Sequence, residues 1–367
     1  MKRTRKLALA ALLTAAVALI GASAGAAKHS AAPYKVAWIY VGPHNDGGWS
    51  QAHENGRLYV QKMLGSKVQT TYKENIAVGA QFSQTVASLV AQGYKLIFAT
   101  SYGYVNKAFA AKYPNVLFEQ ATGTDVSKNL SEYFGKAEDT VFLSGMAAGA
   151  ASTTGNIGYV VAYPIPEVNR HANAFALGAQ LTHPGATVHL VWTHSWFDPA
   201  AEKKAAQSLH TAGADVLGQN VDSPAAGQFA ESVGIPWVGY DSDAAKFAPK
   251  SWLTASVYNW GPYYLKRVKA AMAGTWKPGF YYGTINDGFT TLAPYGAGVT
   301  AATKAKIATY EKKIENGSYY EFTGPLYDQS GKLRVAKGVK MQVLKGGTNS
   351  LYGMNWLVKG VVGSPKG

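Results

Sequence analysis

Between residues 33 and 122 short apolar runs alternate with stretches whose apolar residues recur at helical spacing. Val36-Ala37-Trp38-Ile39-Tyr40-Val41 reads as a buried strand. It ends in the polar, glycine-bearing loop His44-Asn45-Asp46-Gly47-Gly48, and a helix is expected from Trp49 to Met63. Val68 to Tyr72 predicts a second strand. Phe82, Val86, Leu89 and Val90 mark one face of a helix across Gly79 to Ala91. Leu96-Ile97-Phe98-Ala99 predicts a third strand, followed by the loop Thr100-Ser101-Tyr102-Gly103-Tyr104 and a helix reaching Lys112. Val116-Leu117-Phe118 predicts a fourth, ending in Glu119-Gln120-Ala121-Thr122-Gly123. Strand and helix thus alternate, as in a parallel sheet covered by helices.

An Ala- and Gly-rich helix, Thr140 to Ala151, leads to the break Thr153-Thr154-Gly155-Asn156, after which the pattern restarts. Strands are expected at Ile157–Ala162, Val188–Trp192, Asp215–Gly218, Pro236–Gly239 and Leu253–Val257, with helices near Val168–Leu181, Ala200–Thr211 and Ala225–Val233. The chain therefore reads as α/β, with two doubly wound, Rossmann-like domains joined by a hinge near 153–156. The N-terminal lobe is expected over 33–153 with a returning segment near 258–280, and the C-terminal lobe over 156–257 with a segment near 281–320. Residues 321–367, rich in Gly, Tyr and Lys, are expected to form an extension packed on the lobes. A length of 367 residues agrees with two cores, since single cores stop growing near roughly 250–300 residues.

Composition changes this picture in three ways. The cationic start MKRTRK, the apolar run Leu7–Ile20 and the small residues Gly21–Ala27 have the order of a secretory signal peptide over 1–27. That apolar run is shorter than the roughly 20 residues of a typical membrane span. The absence of cysteine rules out thiol nucleophiles, thiolate metal sites, disulfides and a lipidated N-terminal Cys, so an untethered periplasmic protein is expected. The formal net charge of +14 invites a nucleic-acid reading. Four of those charges, however, lie in the leader, and much of the remainder follows Thr300 without the interleaved aromatics of a stacking platform. No nucleic-acid partner is expected.

Ligands of open parallel sheets sit beyond the C-terminal ends of the strands, and the distinctive loops occupy that position. Trp49 and Trp196 are the leading candidates, because an indole face stacks on a planar ring. Each also has a plain reading as packing at a domain edge. Asp46, Asp241 and Asp287 can accept hydrogen bonds from ring N–H, amino or hydroxyl groups, with turn formation as the rival reading. Asp198, just before Pro199, is read chiefly as a helix cap. Asn45, Ser101, Tyr102 and Tyr104 are further polar candidates. His53 is read as helix surface. The chain contains no G-x-S-x-G elbow, no H-E-x-x-H, no G-x-G-x-x-G after the first strand and no Walker A sequence. No catalytic residue, metal or cofactor is therefore expected.

Longer strings carry a family resemblance. They include Gly48-Trp49, LIFATSYGY (96–104), FEQATG (118–123), GYVVAYPIPEVNRHANAFALGA (158–179) and VWTHSWFDPAAEKKAA (191–206). GADVLGQNVDSPA (213–225), GYDSDAAKFAPKSWLT (239–254), FTGPLYDQSGKLRV (322–335) and WLVKGVVG (356–363) extend it over nearly the whole mature chain. The sequence resembles the BMP (basic membrane protein, PnrA-like) family of ABC-transporter substrate-binding proteins. The resemblance implies a type I periplasmic binding protein fold, a monomeric receptor, an ABC permease in the inner membrane as partner, and a purine-like ligand. It also implies that Trp49 and Trp196 sandwich the ring, with Asp46, Asp241 and Asp287 nearest the family's acidic contacts. Three departures stand out: Trp where nucleoside binders often have Phe, no Lys after Leu253-Thr254, and Gln120 where relatives more usually have His. The missing Lys favours a free base such as adenine over a nucleoside. A nucleoside, a sugar or another flat heterocycle remains the alternative cargo, and an exported nucleoside-processing enzyme is a third reading.

Overall fold

The order of elements in a computed structural model, which describes residues 32–343 and 350–367, follows the alternation above. The leader expected over 1–27 lies outside the described residues. The first half runs β1 (Tyr34–Ile39), α1 (Trp49–Leu64), β2 (Val68–Lys73), α2 (Ala80–Ala91), β3 (Leu96–Ala99), α3 (Lys107–Ala110), β4 (Leu117–Ala121), β5 (Leu130–Gly135) and α4 (Ala137–Ala151). It continues through β6 (Asn156–Val161), α5 (Pro166–Thr182), β7 (Thr187–Trp192), α6 (Pro199–Thr211), β8 (Val216–Asn220), α7 (Ala225–Val233), β9 (Trp237–Asp241) and β10 (Trp252–Tyr258). Then come α8 (Trp260–Met272), β11 (Phe280–Gly283), β12 (Thr290–Leu292), α9 (Ala301–Glu315), β13 (Leu326–Tyr327), β14 (Leu333–Val335) and β15 (Val361–Val362).

Among the described residues the longer strands form two sheets, ordered β11-β5-β4-β3-β1-β2 and β12-β10-β9-β8-β6-β7-β15. The core of each sheet has the same doubly wound order, with the chain reversing direction beside its first strand. Those switch points lie between β1 and β3 and between β6 and β8, where such sheets open a crevice. All pairings in the first sheet are parallel; β12 is antiparallel at one edge of the second. Both faces of each sheet are covered, which explains the continuous apolar runs. In the first lobe, α1 and α8 cover one face around Trp38, Phe98 and Tyr264, and α2 covers the other around Phe82 and Ile97. In the second, α4, α5 and α9 cover one face and α6 with α7 the other.

The boundary expected at 153–156 needs correction, because α4 packs with the second sheet. Its Gly145 meets the Phe175 backbone of α5, and Gly178 of α5 meets the Phe142 carbonyl. A side chain at either glycine would hold the two helices apart. The chain therefore leaves the first sheet at the β5–α4 junction. It returns through α8, which packs Trp260 and Tyr264 against Gly56 of α1, and through β11, which pairs with β5. The first lobe's returning segment thus reaches Gly283 rather than stopping near 280. The C-terminal segment lies along α5 and ends as β15 on the edge of β7. Asn169 and Asn173 of α5 hold it through the Met354 and Trp356 carbonyls.

Candidate functional site

A cavity with an empty volume of about 370 Å³, part of it open to solvent, lies between the lobes. Its walls come from the C-terminal ends of strands, the loops that follow them and the first turns of α1 and α5. Trp49, Ser101, Tyr102 and Thr122 contribute from the first lobe, and Glu167, Trp196, Asp222 and Asp241 from the second. Pro33–Gly367 form one compact unit, in which the lobes touch across the mouth. The Ser242 hydroxyl donates to the Gly47 carbonyl, and Gly48 abuts the Asp222 backbone so closely that a Cβ would collide with it.

Trp49 and Trp196 line this one cavity but are held differently. Trp49 is 8% exposed, and its indole N–H donates to the Thr100 carbonyl at 2.6 Å. The edges of His53, Tyr258 and Trp260 pack on it, with centroids 4.4, 5.6 and 5.4 Å away. Trp196 is half-buried, edge-on to Tyr163 at 5.3 Å, and its carbonyl accepts from the Asp222 N–H at 2.9 Å. The reading of His53 as helix surface was wrong. Its ring is fully buried and stacked on Trp260 at 4.3 Å, because α8 returns from 211 residues further along the chain to cover that face.

Of the other candidates, Ser101, Tyr102 and Asp241 line the cavity, whereas Asn45, Asp46, Tyr104 and Asp287 do not. The Asp46 carboxylate accepts from the N–H groups of Gly48, Ser50 and Gln51, each at 2.9 Å, and so terminates α1. Asn45 is exposed on the same turn. Tyr104 stacks on Phe82 inside the first lobe and donates to the Ile76 carbonyl. Asp287 closes the β11–β12 connection by accepting from Tyr281, Thr284 and Phe289. Asp198 caps α6 through Ala200 and Ala201 N–H groups, as its position before Pro199 predicts.

Sequence reasoning missed Thr122, Glu167 and Asp222. Thr122 and Asp222 follow strands and Glu167 opens α5, so placement beyond a strand end was the only signal that marked them. Thr122 and Asp241 adopt positive φ (67° and 65°), a costly conformation for such residues that collects at ligand sites. One buried oxygen of Asp222, one of Asp241 and the Thr122 hydroxyl have no hydrogen-bond partner in the protein. Burial, and then repulsion from neighbouring carboxylates, raises Asp222 and Asp241 well above the usual carboxylate range. Burial also pushes Glu167 up to about 7, against the opposing pull of Arg170. The cavity thus offers two indoles and a carboxylate-rich wall that lacks donors to satisfy it.

Among the described residues no group of three or more His, Asp or Glu is arranged to hold a metal. Two doubly wound lobes closed over one small cavity define the type I class of periplasmic solute-binding proteins. Solved relatives share that architecture. An ABC transporter solute-binding protein from Aeropyrum pernix superposes with a TM-score of 0.69 at 15% identity, covering 78% of this chain and 92% of its own. Another, from Conexibacter woesei, gives 0.65 at 20% identity, covering 78% and 98%. At these identities the likeness is one of fold.

The family model described as ABC transporter substrate-binding protein PnrA-like matches residues 34–318, and the chain belongs to that family. A purine-binding protein of Brucella abortus is 38% identical over 339 residues, 92% of this chain and 95% of the relative. A putative ABC transporter glucose-binding protein of Haloferax volcanii is 34% identical over 295 residues, 80% of this chain and 75% of its own. The chain is accordingly a solute-binding transport protein and not an enzyme.

Proposed function

We propose that this protein captures a purine base, adenine-like, between its lobes in the periplasm and delivers it, as a monomer, to an ABC permease. The observation that carries this reading is the convergence of Trp49 and Trp196 on a cavity where Asp222 and Asp241 keep buried, unpartnered oxygens. Indole faces suit a flat ring, and unpaired carboxylate oxygens suit its N–H edge. The relative from Brucella abortus, named as purine-binding, supports the same class. A sugar is the second reading, supported by the Haloferax volcanii relative named as glucose-binding.

Native mass spectrometry of gently purified protein separates the two. A co-purified mass of a purine base is the expected result, and a carbohydrate without a base overturns the purine reading. Calorimetric titration of Trp196→Ala with adenine then tests the stacking. The expected loss is about 1–3 kcal/mol, the range for base–aromatic stacking, and an unchanged affinity refutes the sandwich.

A further inference from the structure

The C-terminal segment has a charge pattern of its own. Residues 322–367 carry seven Lys or Arg and a single acidic residue, Asp328. That carboxylate is spent inside the segment. It accepts from the N–H groups of Ser330 and Lys332 at 3.0 and 3.1 Å, and from the Arg334 guanidinium at 3.4 Å. Arg334 in turn lies over the Trp356 ring, 5.2 Å from its centroid. Lys332, Lys337, Lys340 and Lys359 are exposed, and none of the four joins an ion pair among the described residues.

The same segment exposes apolar side chains. β13 and β14 form a two-stranded ribbon apart from the two main sheets. Leu326 and Val335 of this ribbon are buried in the second lobe's core. Tyr327 and Leu333, opposite each other in register, are 45% and 48% exposed. Backbone bonds tie two further exposed apolar residues, Val339 and Val362, to the ribbon. The Gly324 N–H donates to the Val339 carbonyl at 2.8 Å, and the Gln329 amide donates to the Val361 and Gly363 carbonyls on either side of Val362. Lys332 precedes Leu333, Lys340 follows Val339, and the Lys359 N–H donates to the Tyr327 carbonyl at 2.9 Å. Exposed apolar side chains and lysines therefore share one strip, and none of them lines the cavity between the lobes.

A single exposed apolar side chain is ordinary in a folded protein. Four on one strip, set among unneutralised lysines, match a partner that is both apolar and anionic. A nucleic acid or an acidic polysaccharide would use the lysines and leave Leu333 and the valines in water. A bilayer with anionic headgroups uses both, since lysines are drawn to its negative surface and Tyr and Leu enter the boundary below the headgroups. Among the described residues no helix is long and apolar enough to cross a membrane, so the contact is one of surfaces.

We propose that the β13–β14 ribbon and its flanking loops form a docking surface for an anionic lipid bilayer. Contact through this strip would hold the receptor beside the membrane that carries its permease. The proposal does not depend on which ligand the cavity takes.

Co-sedimentation with vesicles tests it, using protein exported by expressing cells. The probes are vesicles of phosphatidylglycerol mixed with phosphatidylcholine, vesicles of phosphatidylcholine alone, and heparin as a lipid-free polyanion. Two variants accompany wild type: Lys332→Gln, Lys337→Gln and Lys359→Gln combined, and Tyr327→Ser with Leu333→Ser. All five positions are exposed, so both variants should keep the wild-type thermal midpoint.

Wild type should bind the anionic vesicles at least about a hundredfold more tightly than the neutral ones, an excess that falls as salt rises. The lysine variant should lose about a hundredfold in affinity for anionic vesicles, and the Tyr327/Leu333 variant about tenfold. No binding to anionic vesicles, equal binding to both kinds, or undiminished binding by both variants overturns the docking surface. Heparin binding as tight as vesicle binding, with the Tyr327/Leu333 variant behaving as wild type on both, assigns a general polyanion site and overturns the lipid assignment.

Discussion

Asp46 and Asp241 carry the same side chain in comparable turns after strands, yet the fold gives them different work. Asp46 spends both oxygens on three N–H groups at the start of α1, whereas Asp241 keeps a buried oxygen unpaired. Asp46→Ala should therefore lower stability by about 0.5–2 kcal/mol, the worth of a helix cap, as read by urea unfolding. Asp241→Asn should leave unfolding little changed and weaken ligand binding by about 0.5–1.5 kcal/mol, the net worth of one hydrogen bond. Calorimetry checks the second effect, and a variant that binds normally would remove Asp241 from the contact set. The two tryptophans differ in the same way. Trp49 anchors a cluster with His53, Tyr258 and Trp260, so Trp49→Ala should also cost about 3–5 kcal/mol of stability. Trp196 is the cleaner probe of stacking because only Tyr163 packs edge-on against its ring.

At the scale of elements, the start of α5 carries a buried ionisable group shifted toward ambient pH. Burial pushes Glu167 up to about 7, while an unfolded glutamate titrates near 4.3. The folded protein thus keeps a proton that the unfolded chain releases. The resulting stability is complete below about pH 4.3 and is lost as pH rises through about 7. Buried His53 and His171, lowered by the same desolvation, titrate in the opposite sense below pH 6.5. A comparison with Glu167→Gln isolates the glutamate, since glutamine never ionises. Thermal midpoints of the ligand-free proteins should show the variant gaining on wild type between pH 5 and about 7.5. A constant difference across that window would show that Glu167 ionises freely.

For the whole molecule, the proposed capture of a ligand requires the lobes to meet. Gly48 and the Asp222 backbone approach more closely than any side chain permits, and Ser242 bonds across to Gly47. Gly48→Ala should hold the cleft open and weaken binding at least about tenfold, about 1.4 kcal/mol, with a larger ligand-bound radius of gyration by small-angle scattering. Ser242→Ala, which only deletes the bridging hydrogen bond, should cost about 0.5–1.5 kcal/mol of affinity. Normal closure and affinity in both variants would mean that this contact plays no part in capture.

The alternation of buried strands and helices, the restart after residue 156 and the loops bearing Trp49 and Trp196 were legible because doubly wound sheets bury both strand faces. That burial writes continuous apolar runs into the chain. Strand β5 was not legible: its central Glu132 is buried under Gly123, and a polar residue inside a strand breaks the run. Nor was the allegiance of α4, an Ala- and Gly-rich helix buried nearly all round, which carries no stripe to show which sheet it faces. By itself the sequence determined the fold class and the family, each a matter of local pattern. Tertiary structure alone decided which carboxylates face the cavity. Whether an aspartate caps a helix or keeps an oxygen free depends on N–H groups brought to it by the surrounding chain, and no local string records that.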